Sequence, residues 1–236
     1  MPPAKCRAPG GSNGTLNGIS RSAPKGTGAT LEATVHLLNY AHTYPGAVAT
    51  YRASGMTLRV DSDAAYLVAP GARSRAGGYH YLSDEDGTIS NGPVLVLAKV
   101  IQGVMAPAAG AGLGALYMDA QGAVGLRDCL GAMGYPQPPT PLKTYNNTAN
   151  GIANNTMGQG RPKAMGVGPH WLRGRANRDQ FYIYWESGKT NFADYYTKHH
   201  PVTYHRTNRP IHTYVGGGSP SSLQGCVNIM TGSRQP

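Results

Sequence analysis

The sequence predicts an α/β domain in which helices pack on the faces of a mixed sheet. Residues 58–66 are a short apolar run that ends in acidic and then small residues, which is typical of a central strand that holds a carboxylate at the edge of the sheet. Residues 180–185 alternate large apolar side chains with tyrosines and predict another strand. Residues 108–130 carry bulky apolar side chains at helical spacing and predict a long buried helix, although each glycine in it costs up to ~1 kcal/mol relative to alanine. Strands that alternate with helices indicate the α/β class.

The remaining elements are predicted from apolar periodicity and turn residues. Helices are predicted over residues 31–40, 147–155, 171–178 and 191–200, the last with Asn191 as its cap. Further strands are predicted over residues 74–82, 94–104 and 142–145, and a strand pair over residues 48–51 and 56–60, turned at Ser54-Gly55.

These elements divide the chain into four parts. Residues 1–29 have no hydrophobic period and predict an irregular lead, and residues 30–55 hold a connecting helix and a hairpin. Residues 56–200 contain the α/β domain itself. Residues 201–236 predict an irregular C-terminal tail.

The charge of the chain is compatible with a nucleic-acid partner without requiring one. The formal net charge is +10, from 21 Lys and Arg residues against 11 Asp and Glu residues. Charged residues make up 14% of the chain, well below the usual ~25%, so the imbalance reflects a shortage of acids more than a surplus of bases. A basic balance fits a polyanionic partner, and a chain that is simply poor in acids explains it equally well.

The cysteines and the lack of long apolar segments predict an intracellular protein. Cys6, Cys129 and Cys226 are odd in number and lack the spacing of a metal site, so we expect reduced thiols. No apolar run approaches ~18 residues and the N-terminus has no apolar signal core, so we expect no membrane partner. The expected location is cytoplasmic or nuclear.

A glycine-rich segment offers one alternative function. Residues 109–115 contain the G-x-G-x-x-[G/A] spacing of a dinucleotide-binding turn, and Asp128 lies downstream at a distance suited to a ribose contact. That motif needs its glycines directly at a strand-to-helix turn, whereas Pro107 and two alanines separate these glycines from the preceding strand. A nucleotide-cofactor oxidoreductase built on the segment from Gly110 to Ala115 therefore stays open as an alternative.

A series of short phrases, in a specific order, carries a resemblance to a known family. They are LLNY with YP (37–40 and 44–45), SDA (62–64), ARSRAGG (72–78), GAL (114–116), GYPQPPTP (134–141), TANGIANN (148–155), GKTNFADYYTKHH (188–200) and LQGCV (223–227). Through them the chain resembles the ribonuclease H portion of a copia-type retrotransposon Pol polyprotein, downstream of the reverse transcriptase. The resemblance implies a ribonuclease H-like fold, a five-stranded mixed sheet with helices on both faces. It also implies that residues 1–29 are a remnant of the linker between polymerase and nuclease.

The family hydrolyses RNA in RNA–DNA hybrids, and its chemistry needs four carboxylates that hold two Mg²⁺ (or Mn²⁺) ions. By resemblance, Asp63 and Asp194 are catalytic and metal-binding residues. Gly112 stands at the position of the helix glutamate and Tyr145 at that of the fourth-strand aspartate. Asp61 is a neighbour that is usually not acidic in the family. With two of the four carboxylates replaced, we expect a degenerate copy, impaired or inactive, of a domain that was ancestrally fused to a reverse transcriptase.

A second alternative is a non-catalytic remnant that binds nucleic acid through phosphate contacts. The predicted contact residues are Arg73, Arg75, Lys163, Arg173, Arg175 and Lys198. Gly122, Gly166 and Gly174 also stand where the family pattern has acids, so the loss of acids accounts for part of the positive charge.

Overall fold

The structure is a computed structural model that describes residues 19–20, 22–44, 47–49, 51–89, 91–102, 108–157, 167–188, 191–198, 200–212, 214–215 and 226–227. Lys163, Gly166, most of the predicted lead and most of the predicted tail lie outside these residues. Within the described part of the chain, no helix combines the length and the apolar character that crossing a bilayer requires.

A five-stranded sheet forms the centre of the fold. Its strands, in chain order, are β1 (Thr57–Ala69), β2 (Arg73–Ser83), β3 (Pro93–Val100), β4 (Thr140–Thr144) and β5 (Phe181–Trp185). They lie side by side in the order β3-β2-β1-β4-β5. The pairs β1–β2 and β2–β3 are antiparallel, whereas β1–β4 and β4–β5 are parallel. The strand predicted over residues 58–66 is therefore confirmed as the central strand of a mixed sheet.

Helices cover both faces of this sheet. The helices are α1 (Gly28–Thr43), which has no buried residue, α2 (Ala108–Ala132), α3 (Asn147–Ala153), α4 (Gly168–Ala176) and α5 (Val202–His212), with 3₁₀ turns at Ala23–Lys25 and Asp194–Tyr196. Helices α2, α3 and α4 contact one another and bury the main apolar core against one face. The 3₁₀ turn Asp194–Tyr196 contacts β1 and β2 on the other face. The predicted α/β class with helices on both faces is confirmed.

Alternate residues of β1 face the two layers, as the pleat of a strand requires. Leu58 and Val60 are almost fully buried in the core that α2 covers. Asp61 and Asp63 face the opposite layer, where the backbone amide of Phe192 lies against Asp61. The central strand therefore supplies apolar core on one face and acidic groups on the other.

Tyrosine side chains fill the second layer and anchor α5. The rings of Tyr79 and Tyr81 pack with those of the segment around Tyr195 and with Tyr204 of α5. The Tyr195 hydroxyl also lies 2.8 Å from Nδ1 of His205. Because α5 supplies part of this layer, it belongs to the packed domain.

The prediction of an irregular chain from residue 201 is wrong for α5. The Pro201 carbonyl accepts the first hydrogen bond of this helix, from the amide of His205 at 3.2 Å. Proline suits this end of a helix because its missing N–H would have no partner in the first turn. The helix predicted over residues 191–200 is shorter than expected, a 3₁₀ turn in which Asn191 Oδ1 accepts the amides of Ala193 and Asp194.

The hairpin predicted within residues 30–55 and on into residues 56–60 does not form. Ala47–Val48 pairs with Tyr214–Val215, and Tyr51–Arg52 pairs with Cys226–Val227, both antiparallel. Two-residue strands contain too little alternation to select a partner, so the pairing depends on the rest of the fold.

Asp119 of α2 lies in the tightest contact between helix and sheet. Its carboxyl group is fully buried, with the Ser62 hydroxyl beside it. A Cβ atom on Gly78 of β2 would overlap this carboxyl group, so only glycine fits there. Burial raises the pKa of Asp119 well above its usual value, and we infer that the residue is protonated. The backbone carbonyl of Asp119 accepts a hydrogen bond from His80 Nε2 at 3.0 Å, and burial lowers the pKa of this histidine.

We predict that Asp119→Asn stabilises the protein at neutral pH relative to the unmodified chain. The folded protein must keep Asp119 protonated, whereas the unfolded chain ionises it above pH ~4, so each pH unit up to the folded pKa costs about 1.4 kcal/mol. The variants should therefore be similar near pH 4 and diverge as the pH rises. Urea unfolding from pH 4 to 8 measures this, with Asp128→Asn on the exposed side of α2 as the control. Parallel stability curves for Asp119→Asn and the unmodified chain would contradict it.

Candidate functional site

The candidate site is a cavity of about 330 Å³ at the carboxyl end of β4, beside the middle of β1. It is lined by Asp63, Ala64, Gly112, Thr144, Tyr145, Asn146 and Asn147. Strands β1 and β4 run parallel with Ser62 beside Thr144, so the residues that follow β4 lie next to Asp63 and Ala64 in the middle of β1. The structure thus brings together Asp63, Gly112 and Tyr145, three of the four positions to which the resemblance assigns metal ligands.

Asp194 reaches the same end of the sheet from the opposite layer. Thr197 connects it to Asp63, because its Oγ1 lies 3.2 Å from Asp63 Oδ2 and 3.0 Å from the Asp194 carbonyl oxygen. Burial raises the pKa of Asp63, and the nearby charge of Asp194 raises it further, while Lys198 lowers it. The two carboxylates are therefore close enough to repel each other, despite their separation in sequence.

Both carboxylate oxygens of Asp194 already have partners within the protein. Lys198 Nζ lies 2.5 Å from Oδ1, and the Tyr204 hydroxyl donates to Oδ2 at 2.9 Å. Burial raises the pKa of Tyr204, and the Asp194 carboxylate raises it further, so the phenol keeps its proton and remains a donor. His200 Nε2 donates to the Asp194 backbone carbonyl at 2.8 Å. Asp194 is held by the protein's own donors.

The two positions at which the resemblance implies carboxylates, 112 and 145, differ in what fills them. A Cβ atom on Gly112 would lie 3.0 Å from Cβ and Nδ2 of Asn146, so the Asn146 side chain closes the space next to the glycine. Asn146 also caps α3, since its Oδ1 accepts the amide of Ala149 at 2.9 Å. The Tyr145 hydroxyl donates to Asp61 Oδ2 at 3.5 Å, the outer limit of a hydrogen bond. Burial raises the pKa of Tyr145, so it is neutral.

Asp61 is more deeply involved than the sequence analysis indicated. Its side chain is 2% exposed, and Lys143 Nζ lies 3.1 Å from its Oδ2 and 3.3 Å from Oε2 of Glu186. Burial raises the pKa of Asp61 to about 6, against the opposing effect of Lys143. Burial alone would lower the pKa of Lys143, but the charge of Asp61 and its hydrogen bond raise it. Asp61 lies two residues from Asp63, and Lys143 lies two residues from Tyr145, so the members of each pair lie on the same face of the sheet. The register of β1 with β4 places the two pairs next to each other, and the sequence alone does not give that register.

The residues present do not fit a centre for two Mg²⁺ or Mn²⁺ ions. Such a centre needs several carboxylates that share the ions. In the described ranges, no group of three or more His, Cys, Asp or Glu residues is arranged to hold a metal ion. Gly112 has no side chain, Tyr145 is neutral, and Asp194 is bound to Lys198 and Tyr204.

The predicted phosphate contacts lie on three different elements. Arg73 and Arg75 are on β2, and β1–β2 pairing places Arg75 opposite Ala65, two residues beyond Asp63 on the same face of the sheet. Two arginines of α4 contact other groups of the domain. Arg173 donates through Nε and Nη2 to the Ile152 carbonyl at 3.0 and 2.8 Å.

Arg175 of α4 donates to Gln180 Oε1 at 2.7 Å and stacks over the Trp171 ring. Lys198 is the counter-ion of Asp194. Lys163 lies outside the described residues.

The glycine-rich segment does not form a strand-to-helix turn. Gly110 and Gly112 lie inside α2, which begins at Ala108, and both are buried. Strand β3, which precedes this helix, is the edge strand of an antiparallel trio. This geometry disfavours the dinucleotide-binding alternative, because its pyrophosphate would need exposed backbone amides at the start of the helix.

The chain matches no family model and no curated protein. Three solved structures align with 60% of it at low similarity. The N-terminal RNase H domain of a Mycobacterium tuberculosis protein, solved as a maltose-binding-protein fusion, is 14% identical over 91% of its length, with a TM-score of 0.43. An RNase H1 isolated from compost by a metagenomic approach is 14% identical over 93%, with a TM-score of 0.43. The RNase H1 of the halophilic archaeon Halobacterium salinarum is 17% identical over 94%, with a TM-score of 0.40.

The order and direction of the strands define the class of the fold. Three antiparallel strands, β3-β2-β1, continue into the parallel pair β4-β5, and helices lie on both faces. This is the ribonuclease H-like arrangement that the resemblance implied.

We predict that the Tyr204 hydroxyl stabilises the fold through Asp194. Tyr204→Phe keeps the ring and removes only the donor to a charged acceptor, which should lower the free energy of unfolding by about 1–2 kcal/mol. Lys198→Met should cost less, about 0–1 kcal/mol, because Lys198 is half exposed and its ion pair is screened by water. Urea unfolding of both variants measures the difference. A large loss for Lys198→Met with none for Tyr204→Phe would show that the lysine alone holds the carboxylate.

Proposed function

We propose that this chain is a ribonuclease H-like domain derived from a copia-type retrotransposon, and that it has lost the two-metal hydrolysis of RNA in RNA–DNA hybrids. One observation carries the proposal: a single cavity gathers positions 63, 112 and 145, and only Asp63 among them is a carboxylate. The ribonuclease H-like strand order supports hybrid hydrolysis as the ancestral activity. The ordered series of sequence phrases supports the retrotransposon origin and the ancestral fusion to a reverse transcriptase.

The loss follows from the charges around the cavity. Two-metal catalysis requires ions that activate water and stabilise the leaving oxygen, and those ions require negatively charged ligands. In this chain the ligand charge is reduced at positions 112 and 145, and the charge of Asp194 is neutralised by Lys198. By analogy with the removal of catalytic groups in other enzymes, a rate loss on the order of 10³–10⁶ is expected.

We predict that the unmodified chain does not cleave a labelled RNA–DNA hybrid in Mg²⁺ or Mn²⁺. The double variant Gly112→Glu with Tyr145→Asp supplies both carboxylates. It should recover metal binding, and cleavage should return only in a protein that binds the ions. Either change alone should do little, because a half-built site cannot hold both ions. Gly112→Glu must also displace Asn146 by a few tenths of an ångström.

Two matched variants separate charge from shape in this experiment. Gly112→Ala imposes the same contact on Asn146 without a carboxylate, and Tyr145→Phe removes the hydroxyl without adding a charge. Neither should restore cleavage. Robust cleavage by the unmodified chain that disappears in Asp63→Asn would show that the assignment of the missing ligands is wrong.

A non-catalytic nucleic-acid-binding role is the second candidate. The β1–β2 register favours it, because Arg75 lies on the same face as Asp63 at the same end of the sheet. A duplex seated over the cavity would therefore place its phosphates near this arginine. Nothing comparable favours the oxidoreductase alternative, for which a thermal shift with NAD and none with Mg²⁺ would be the supporting result.

We predict that any binding of a hybrid or duplex weakens steeply with salt and does not depend on base sequence. Arg73→Ala with Arg75→Ala should reduce the slope of log K against log salt by about 2, roughly 0.9 for each phosphate that the protein no longer neutralises. Arg178→Ala is the control, because this exposed arginine precedes β5 at the opposite end of the sheet. Fluorescence anisotropy from about 25 to about 300 mM salt measures the slopes. No binding at low salt, or a slope unchanged by the double variant, would exclude this role.

A further inference from the structure

Strand β5 forms one edge of the sheet, and its outer side is open. In the described part of the chain, β5 pairs with β4 and with no strand on its other side. A groove of about 670 Å³ is lined by all five residues of β5 and by Asn150, Asn154 and Asn177, among others. Because residues from both faces of β5 line this groove, it runs along the outer edge of the strand, where another strand has room to pair.

The register of β5 with β4 shows which backbone groups face the open side. The amide of Glu186 donates to the Thr144 carbonyl at 3.2 Å, so the backbone of Glu186 faces β4. In a parallel strand both backbone groups of a residue point to the same side, and the side alternates from residue to residue. The N–H and C=O groups of Phe181, Ile183 and Trp185 therefore point outward.

The central outward carbonyl is covered by an asparagine that follows α3. Asn154 Nδ2 donates to the Ile183 carbonyl at 2.9 Å and to Asn150 Oδ1 at 2.9 Å. A side chain thus takes the place of a neighbouring strand at one point of the edge. Natural sheets limit pairing between edges by covering them in this way.

The order of residues in β5 is nearly symmetric about Ile183. A tyrosine lies on each side of this isoleucine, and another aromatic residue lies beyond each tyrosine. Antiparallel pairing of two such strands about Ile183 places Tyr182 opposite Tyr184 of the second copy, and Phe181 opposite Trp185. The two Ile183 residues would exchange both of their outward hydrogen bonds. An interface between identical chains around a two-fold axis requires this self-complementarity.

The side chains along the edge favour a second copy over a nucleic acid. No residue of β5 carries a charge, and among the described residues that line the groove only Asp179 does. A polyanion needs lysine or arginine side chains at its phosphates. Tyr182 is 62% exposed, and its ring stacks on that of Tyr184 with centroids 5.5 Å apart. Pairing with a second copy would extend this stack across the two-fold axis, and cross-strand aromatic pairs stabilise sheets.

We propose that the outer edge of β5 is a self-association surface, which pairs antiparallel with β5 of a second copy and which Asn154 restrains by covering the Ile183 carbonyl. Each copy has one such edge, so association stops at a dimer with a continuous sheet. The inference does not rest on the proposed loss of nuclease activity. Cleavage of a hybrid by the unmodified chain would overturn the proposed function and leave this inference standing.

Sedimentation of the full chain over a roughly hundredfold range of concentration measures self-association, which follows mass action. Asn154→Ala should strengthen dimerisation by roughly tenfold, because the uncovered Ile183 carbonyl can accept a hydrogen bond from the second copy. Asn177→Ala, at another exposed asparagine of the same groove, should leave dimerisation unchanged. Added salt should strengthen dimerisation, since it screens the net charge of +10 on each copy.

A charge at the centre of the pairing surface provides the opposite test. Tyr182→Lys, added to Asn154→Ala, should abolish dimerisation, because the two lysines would lie diagonally across the axis at roughly 7–8 Å. Tyr66→Lys makes the same change at another exposed tyrosine, on β1, and should have no effect on dimerisation. Retention of the dimer in the Tyr182→Lys double variant would overturn the proposal, as would an Asn154→Ala variant that folds and shows no stronger association.

Hydrogen exchange identifies the surface that pairs. The Ile183 amide should exchange more slowly as the concentration rises, whereas the amides of Tyr182 and Tyr184, which face β4, should be protected at every concentration. Should Asn154→Ala fail to fold, the unmodified chain at its highest concentration in high salt decides the question. No dimer there, a dimer without slower exchange at Ile183, or slower exchange caused only by an added RNA–DNA hybrid would each reject the proposal.

Discussion

The parallel pairing of β1 with β4 governs both the apolar core and the candidate site. It joins Val60 to Leu142 and Asp61 to Lys143. The same register buries apolar side chains under α2 and aligns the charged groups on the other face. Because side chains alternate along a strand, a slip of one residue would place Asp61 in the apolar core and Val60 among the charges. Core packing therefore enforces the geometry of the candidate site.

Each acidic side chain in the centre of the domain is stabilised by a different local interaction. Asp61 has Lys143, Asp194 has Lys198 and Tyr204, and Asp119 keeps its proton because burial raises its pKa. Asp63 has the Thr197 hydroxyl. These partners are all protein groups. An isolated buried carboxylate would destabilise the fold, so each of these acids needs a donor, a cation or its own proton.

Close packing surrounds Gly112 on α2, the position at which the resemblance implies a glutamate. Asn146 already fills the space next to Gly112 while it caps α3. Position 112 therefore borders the cavity, but a side chain there would meet Asn146. The capping bond of Asn146 ties this packing to the start of α3, so a restored glutamate would have to compete with an interaction that helps to hold α3 in place.

The sequence was sufficient to predict the central strand, the long helix and the succession of strands and helices, because their apolar patterns are long and regular. It also identified Gly112 and Tyr145 as unusual within a resembling pattern, but it placed Asp63 at the end of its strand, whereas Asp63 lies in the middle of β1. Only the folded chain reveals the partners of the short strands near residues 47–52, the helix that carries Tyr204, and the pairing of Asp61 with Lys143. Local pattern does not specify these features, since each depends on the register of strands that lie far apart in the chain.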